Sequence, residues 1–225
     1  MPTRSGLLIG KIFGIPIYLH ASWVIIFVLI TVTLQGQFAS AHPQWTDTQH
    51  WIVGVVTSLL FFASVLFHEL AHSAVAMAYK IPVDSITLFV FGGVARISRE
   101  PSRPIQEFNI TIAGPMASFL LAGLFFALTL FFPYNTMPGA LANWLWKTNA
   151  SLGFLNLIIP GFPLDGGRIL RAIVWGFTKD FTRATKVAAG SGKLVAYDTP
   201  AEIFRSNNPE VKIFLDSLPR IGSGE

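Results

Sequence analysis

The chain has 225 residues, of which 52% are hydrophobic and only 12% charged, with a net charge of +4. A soluble domain usually carries about 25% charged residues, so this deficit argues against a soluble enzyme and for a multi-pass membrane protein. The absence of cysteine excludes disulfides and thiolate ligands, so any metal must be held by His, Asp or Glu.

Met1 to Lys11 is short and basic, and it lacks the apolar core and small-residue cleavage site of a signal peptide. Leu8 to His20 is broken by Gly10, Gly14 and Pro16 and reads as an extended lead-in, a strand lying at the interface. The first membrane span is expected at about 17–34, just long enough for a bilayer that needs about 20 residues. Gln35 to His50 reads as a polar loop with interfacial aromatics, and its His42 and His50 as solvent-facing loop histidines. A long apolar helix follows at 51–79, ended by Lys80, Pro82 and Asp84. Ser85 to Ile97 holds β-branched and aromatic residues around Gly92-Gly93 and predicts a hairpin.

Phe108 to Trp146 contains no charged residue. It predicts spans at 108–132, interrupted early by Gly114-Pro115, and at 140–159, where Lys147 can snorkel to the interface. Gly114, Ala117 and Ser118 are small enough for close helix contact. Pro160 to Arg168 breaks the pattern, and a short helix is expected at 166–177. Arg171 near its start opposes the helix dipole, so another group must hold it there. The fold expected is an all-α polytopic membrane protein. It is a helical transmembrane bundle at 1–183 with a small interfacial β-hairpin or sheet, followed by a soluble polar C-terminal tail at 184–225.

Lys and Arg divide unevenly between the two ends of the predicted spans. Arg4, Lys11, Lys80, Arg96, Arg99, Arg103, Arg168 and Arg171 share one side, and Lys147 lies alone on the other. The positive-inside rule then puts the N-terminus, and with it the later half of the 51–79 helix, toward the cytoplasm. Charge so distributed fits a bilayer partner and not a nucleic-acid footprint.

Within 51–79 stands His68-Glu69-Leu70-Ala71-His72. Residues four apart share a helix face, so His68 and His72 offer two imidazoles to one metal ion. A catalytic zinc needs a third protein ligand, and Asp165 is the best candidate. It lies in an apolar stretch at the same predicted depth, where an unpaired Asp costs roughly 3 kcal/mol. Glu69 points about 100° around the helix from His68. It is placed to act on the activated water as general base and on the leaving amine as acid. Asn156 is positioned either to donate a hydrogen bond to a substrate carbonyl or oxyanion or to pack between helices. A two-His, one-carboxylate set also suits other divalent metals such as iron.

These residues resemble the site-2 protease family of intramembrane zinc metalloproteases, the M50 type. The resemblance rests on His68 to His72, on Gly92-Gly93 followed by Ala113-Gly114-Pro115, and on Asn156 with Pro160 to Arg168. It covers about residues 5 to 185 and is closest to the compact branch without a PDZ insertion. It implies one Zn²⁺ on His68, His72 and Asp165, Glu69 as the catalytic residue, and cleavage of membrane-spanning protein substrates. Asn156 precedes Asp165 by nine residues where the family pattern has eight, which turns it by about 100° on a helix. The tail after Gly192 resembles the closing segment of ABC-transporter ATPase subunits. It holds no nucleotide-binding motif, so nucleotide binding is not expected. A truncation or fusion of the reading frame after about residue 185 would account for that tail and for a missing last helix.

The function expected is intramembrane zinc endopeptidase. The alternative is a catalytically inactive or incomplete family member that binds membrane substrates or partners. A metal transporter fits less well, because a transport pathway needs more intramembrane polar residues than the chain supplies.

Overall fold

Apolar runs set the helices, and polar or glycine-rich breaks set their ends. The computed structural model describes residues 6–90, 92–159 and 164–190. In chain order these form β1 (Leu7–Ile12), β2 (Ile15–Leu19), α1 (Ala21–Ala41), α2 (Asp47–Ala78), β3 (Val83–Phe89) and β4 (Gly92–Ile97). There follow α3 (Pro104–Phe131), α4 (Met137–Ile158), α5 (Asp165–Thr178) and α6 (Phe181–Ala188). The architecture is a helical bundle with one small sheet. Helices α1, α2 and α3 are long and apolar enough to cross a membrane. Their exposed residues include Ile25, Leu29, Leu59, Leu120 and Leu124. Such continuous apolar faces suit lipid, not water. Helix α4 has spanning length but carries Asn143, Lys147, Thr148 and Asn149 in its middle.

Helix α2 is the centre of the bundle, touching α1, α3 and α4. Small and polar residues bring its neighbours close. Thr31 of α1 donates to Ser58 Oγ at 2.9 Å, beside Gly54, where a Cβ would stand 3.2 Å from Thr31 O. Asn149 of α4 donates to Ser64 Oγ at 3.3 Å. Such contacts replace the hydrophobic driving force that is missing between helices in lipid.

The predicted first span differs from the observed one at both ends. Its first residues are in β2, and α1 continues through Gln35 to Ala41 where a loop was expected. Leu34 and Phe38, four apart, are buried against Val53 and Ala140, and this packing keeps the helix going. Helix α2 likewise begins at Asp47, because Thr46 and Gln49 form a capping box ahead of it. His42 and His50 are therefore buried, at 2% and 4% exposure, and not solvent-facing. His42 stacks on Trp45 with centroids 4.1 Å apart, and His50 Nε2 lies 3.0 Å from His42 O. Helix α3 runs unbroken through Gly114-Pro115, where an interruption was expected. A single missing N–H inside a long packed helix does not end it when neighbouring helices surround the site.

The predicted hairpin forms as β3 and β4, within a larger sheet of order β1-β2-β3-β4. Strands β2 and β3 pair in parallel, and the other pairs are antiparallel. The β1–β2 turn has Phe13 and Gly14 both at positive φ, the backbone of a tight hairpin. Ile15, Ile17 and Ile86 bury the sheet against Leu66, Leu70 and Met77 of α2. The sheet thus packs on the later half of α2, the half that carries His68 and His72. The expected tail begins inside α6. Its residues from 191 on lie outside the described residues, as do Arg4 and the 160–163 part of the predicted break.

Candidate metal centre

His68 and His72 project from one face of α2, each about 5% exposed. Asp165 opens α5, where a carboxylate favours the helix N-terminus, and it is 8% exposed. His68 Nε2 and Asp165 Oδ2 are 3.1 Å apart, the two Nε2 atoms 3.1 Å, and His72 Nε2 and Asp165 Oδ2 3.3 Å. Among the described residues this is the one cluster of three or more His, Cys, Asp or Glu side chains able to share an ion.

The other ring nitrogens fix which way these imidazoles face. His72 Nδ1 is 2.7 Å from Ile110 O, a carbonyl that can only accept, so Nδ1 carries the proton. In the neutral ring Nε2 then presents a lone pair. His68 Nδ1 is 2.9 Å from Ser118 Oγ, which can accept in the same way. Three lone-pair atoms facing one another repel unless a cation lies among them. Their separations match the edges of a tetrahedron with metal–ligand bonds of about 2.0 Å, the bond length of zinc to His and Asp. The donor set therefore fits a zinc ion.

Helix α3 lies directly behind this cluster. A Cβ on Gly114 would stand 2.2 Å from His72 Nε2 and 2.6 Å from His68 Nε2, so only glycine fits. Pro115 lacks the N–H that would bond Thr111 O, and Ile110 O in the same turn serves His72. Gly114 thus has its reason in the imidazoles it faces. A Cβ on Gly93 of β4 would lie 2.5 Å from Glu69 Cγ, which places the strand edge against that carboxylate.

Glu69 does not join the three-atom cluster. With His68, His72 and Asp165 it lines a cavity of about 560 Å³, together with Asn156, Arg168 and β4 residues Gly92 to Ala95. Ile26, Ile30, Phe61 and Phe62 form an apolar wall. Asn156 thus lies at the same cavity despite its shifted spacing, with one amide N–H given to Leu152 O at 3.0 Å. Arg171 is held by Glu107 of α3, the partner its position demanded.

In the sequence Ser118 reads only as a small packing residue, and Ile110 O and Glu107 go unmarked. Their signal was the spacing 107, 110, 114, 118, a single helix face.

A family model for peptidase family M50 matches residues 56–142 and 134–196. A candidate zinc metalloprotease of Synechocystis sp. is 41% identical over 193 residues, covering 84% of this chain and 50% of the relative. A zinc metalloprotease of Methanocaldococcus jannaschii is 39% identical over 189 residues, covering 83% of this chain and 50% of the relative. The chain spans about half the length of these relatives. The solved structure of a site-2 protease from Methanocaldococcus jannaschii matches with a TM-score of 0.56 at 36% identity, over 81% of this chain and 77% of that one. The resemblance of the tail to ABC-transporter ATPase subunits is not borne out by these comparisons.

Proposed function

The chain belongs to peptidase family M50, and we propose that it is an intramembrane zinc endopeptidase that cuts a peptide bond within or near a transmembrane segment of a membrane-bound substrate. The observation that carries this reading is the convergence of His68 Nε2, His72 Nε2 and Asp165 Oδ2 within 3.3 Å of one another, beside a carboxylate that stays apart from them. His68, His72 and Asp165 hold one zinc per chain. Zinc bound there supplies Lewis acidity, which acidifies water and polarises a carbonyl.

The remaining chemistry belongs to the side chains. Glu69 takes a proton from the attacking water and returns it to the leaving amine. Asn156 has a second amide N–H beyond the one given to Leu152, and it offers that donor to the substrate carbonyl. A peptide bond inside a helix is shielded by its own hydrogen bonds, so the substrate must be extended before it is cut. Strand β4 ends the sheet and lines the cavity, so its backbone can pair with the extended chain beside Glu69. Lys80, Arg96, Arg99, Arg103, Arg168 and Arg171 favour a cytoplasmic location for this end of the bundle. The transmembrane core is residues 1–183, with α4 as a fourth span packed along α3.

The test is cleavage of a membrane-helix substrate by the full chain purified in detergent, with zinc content measured on the same sample. The Glu69→Gln variant should keep zinc and lose cleavage. Stoichiometric zinc with no cleavage by the unaltered chain would favour a binding protein, and cleavage indifferent to Glu69→Gln would refute the mechanism.

A further inference from the structure

Two charges are buried next to the proposed centre without belonging to it. Glu107, in the first turn of α3, is fully buried, and Arg171 of α5 is 4% exposed. Arg171 Nε donates to Glu107 Oε1 at 2.8 Å, and its Nη2 makes a second bond to the same oxygen. Arg168 Nε stands 3.9 Å from that oxygen, and the Arg171 guanidinium lies over the Phe181 ring at 4.8 Å. Desolvating two ions is costly, and a buried pair is weak evidence for stability by itself. What the pair does achieve is registry between two helices.

Registry matters here because of what α5 carries. Asp165 is its first residue, and α5 packs chiefly on α3 and α6, only lightly on α4. Its carboxylate must nevertheless meet two imidazoles that come from α2. Helix α3 is the element that packs most extensively on both sides, with α4 a lighter second. Glu107, Ile110, Gly114 and Ser118 lie at i, i+3, i+7 and i+11, on one face. Ser118 and Ile110 orient His68 and His72, Gly114 clears the space for their Nε2 atoms, and Glu107 holds α5.

We infer that the Glu107–Arg171 pair is a positioning device that sets the depth and rotation of α5, so that Asp165 Oδ2 meets His68 Nε2 and His72 Nε2. One face of α3 then acts as the template for all three donors. The inference rests on the reading of His68, His72 and Asp165 as metal ligands. It separates from a purely structural role in one respect: the pair acts on the metal through Asp165.

A double-mutant cycle on the full chain in detergent tests this, with zinc affinity measured by competition against a chelator and melting temperature measured alongside. Glu107→Gln should weaken zinc binding about 10–100-fold, the usual effect of removing a group that orients a ligand. The same change made in an Asp165→Ala background should alter zinc affinity less than about twofold, since the ligand it positions is already gone. Arg171→Lys keeps the charge but loses the two-point fork, and serves if Glu107→Gln does not fold. It should weaken zinc several-fold and shift the visible absorption bands of the cobalt-substituted protein. Lower melting temperature with unchanged zinc affinity and cobalt spectrum would overturn the inference. So would an equal loss of affinity with and without Asp165. If the unaltered chain binds no zinc, the metal reading fails and the inference falls with it. Zinc on the unaltered chain and equally on the variants sinks the inference alone.

Discussion

The bundle buries two histidine pairs, one at each end, and they behave differently. His68 and His72 spend their Nδ1 atoms on α3 and turn both Nε2 atoms toward a carboxylate. His42 and His50 lie where α1 passes into α2. There His50 Nε2 is spent on the His42 backbone carbonyl, and His42 stacks on Trp45 with the Tyr134 ring tilted against it. The nearest carboxylate, Asp47, is 3.9 Å from His50 Nδ1 and almost fully exposed. Burial alone therefore does not make a histidine pair a candidate metal site. What separates the two is convergence: three lone pairs aimed at one point against rings used as packing and as local hydrogen-bond partners.

Removing a donor should separate the two pairs most strongly. Asp165→Ala or His68→Ala should leave the chain with substoichiometric zinc and no measurable cleavage, whereas His50→Phe should lose neither. Elemental analysis and a substrate gel read both outcomes. Glu69→Gln should come next, lowering the cleavage rate about 10²–10⁴-fold with zinc retained. Gly114→Ala crowds the donors without replacing one of them. Its Cβ would press on both Nε2 atoms, and zinc affinity should fall about 10–100-fold by chelator competition.

The smallest effects belong to the far pair. His42→Ala should cost about 1–2 kcal/mol of stability by emptying the stack on Trp45, while zinc content stays unchanged. His42 should also register pH. Burial first, and then the neighbouring His50, hold His42 below the ordinary imidazole pKa. The folded state therefore binds this proton less readily than the unfolded chain. Its contribution to stability is complete above about pH 6.5 and is lost as pH falls below that value. Melting curves between about pH 7.5 and 5.5 should slope less steeply for His42→Phe than for the unaltered chain.

Much of this was legible in the sequence for physical reasons. Long uncharged runs leave helices as the main way to satisfy the backbone in lipid, so the bundle was readable. His68, Glu69 and His72 were readable from helical spacing, and Asp165 because a lone carboxylate in apolar sequence needs a partner. Helix ends were less readable. Gln35 to Ala41 looks like loop by composition, and only the burial of Leu34 and Phe38 against α2 and α4 makes it helix. The burial of His42 and His50 was hidden for the same reason. The role of α3 was half visible. Gly114-Pro115 and Ser118 stood out as small or helix-breaking residues, but which imidazole each one faces depends on how α3 crosses α2.

Zinc content of the purified full chain, set beside Asp165→Ala and the double variant His42→Phe with His50→Phe, tells the two histidine pairs apart in one measurement. About one zinc per chain is expected in the unaltered protein and in the far-pair variant, and little in Asp165→Ala. Zinc that survives the loss of Asp165 but departs with His42 and His50 would contradict that expectation.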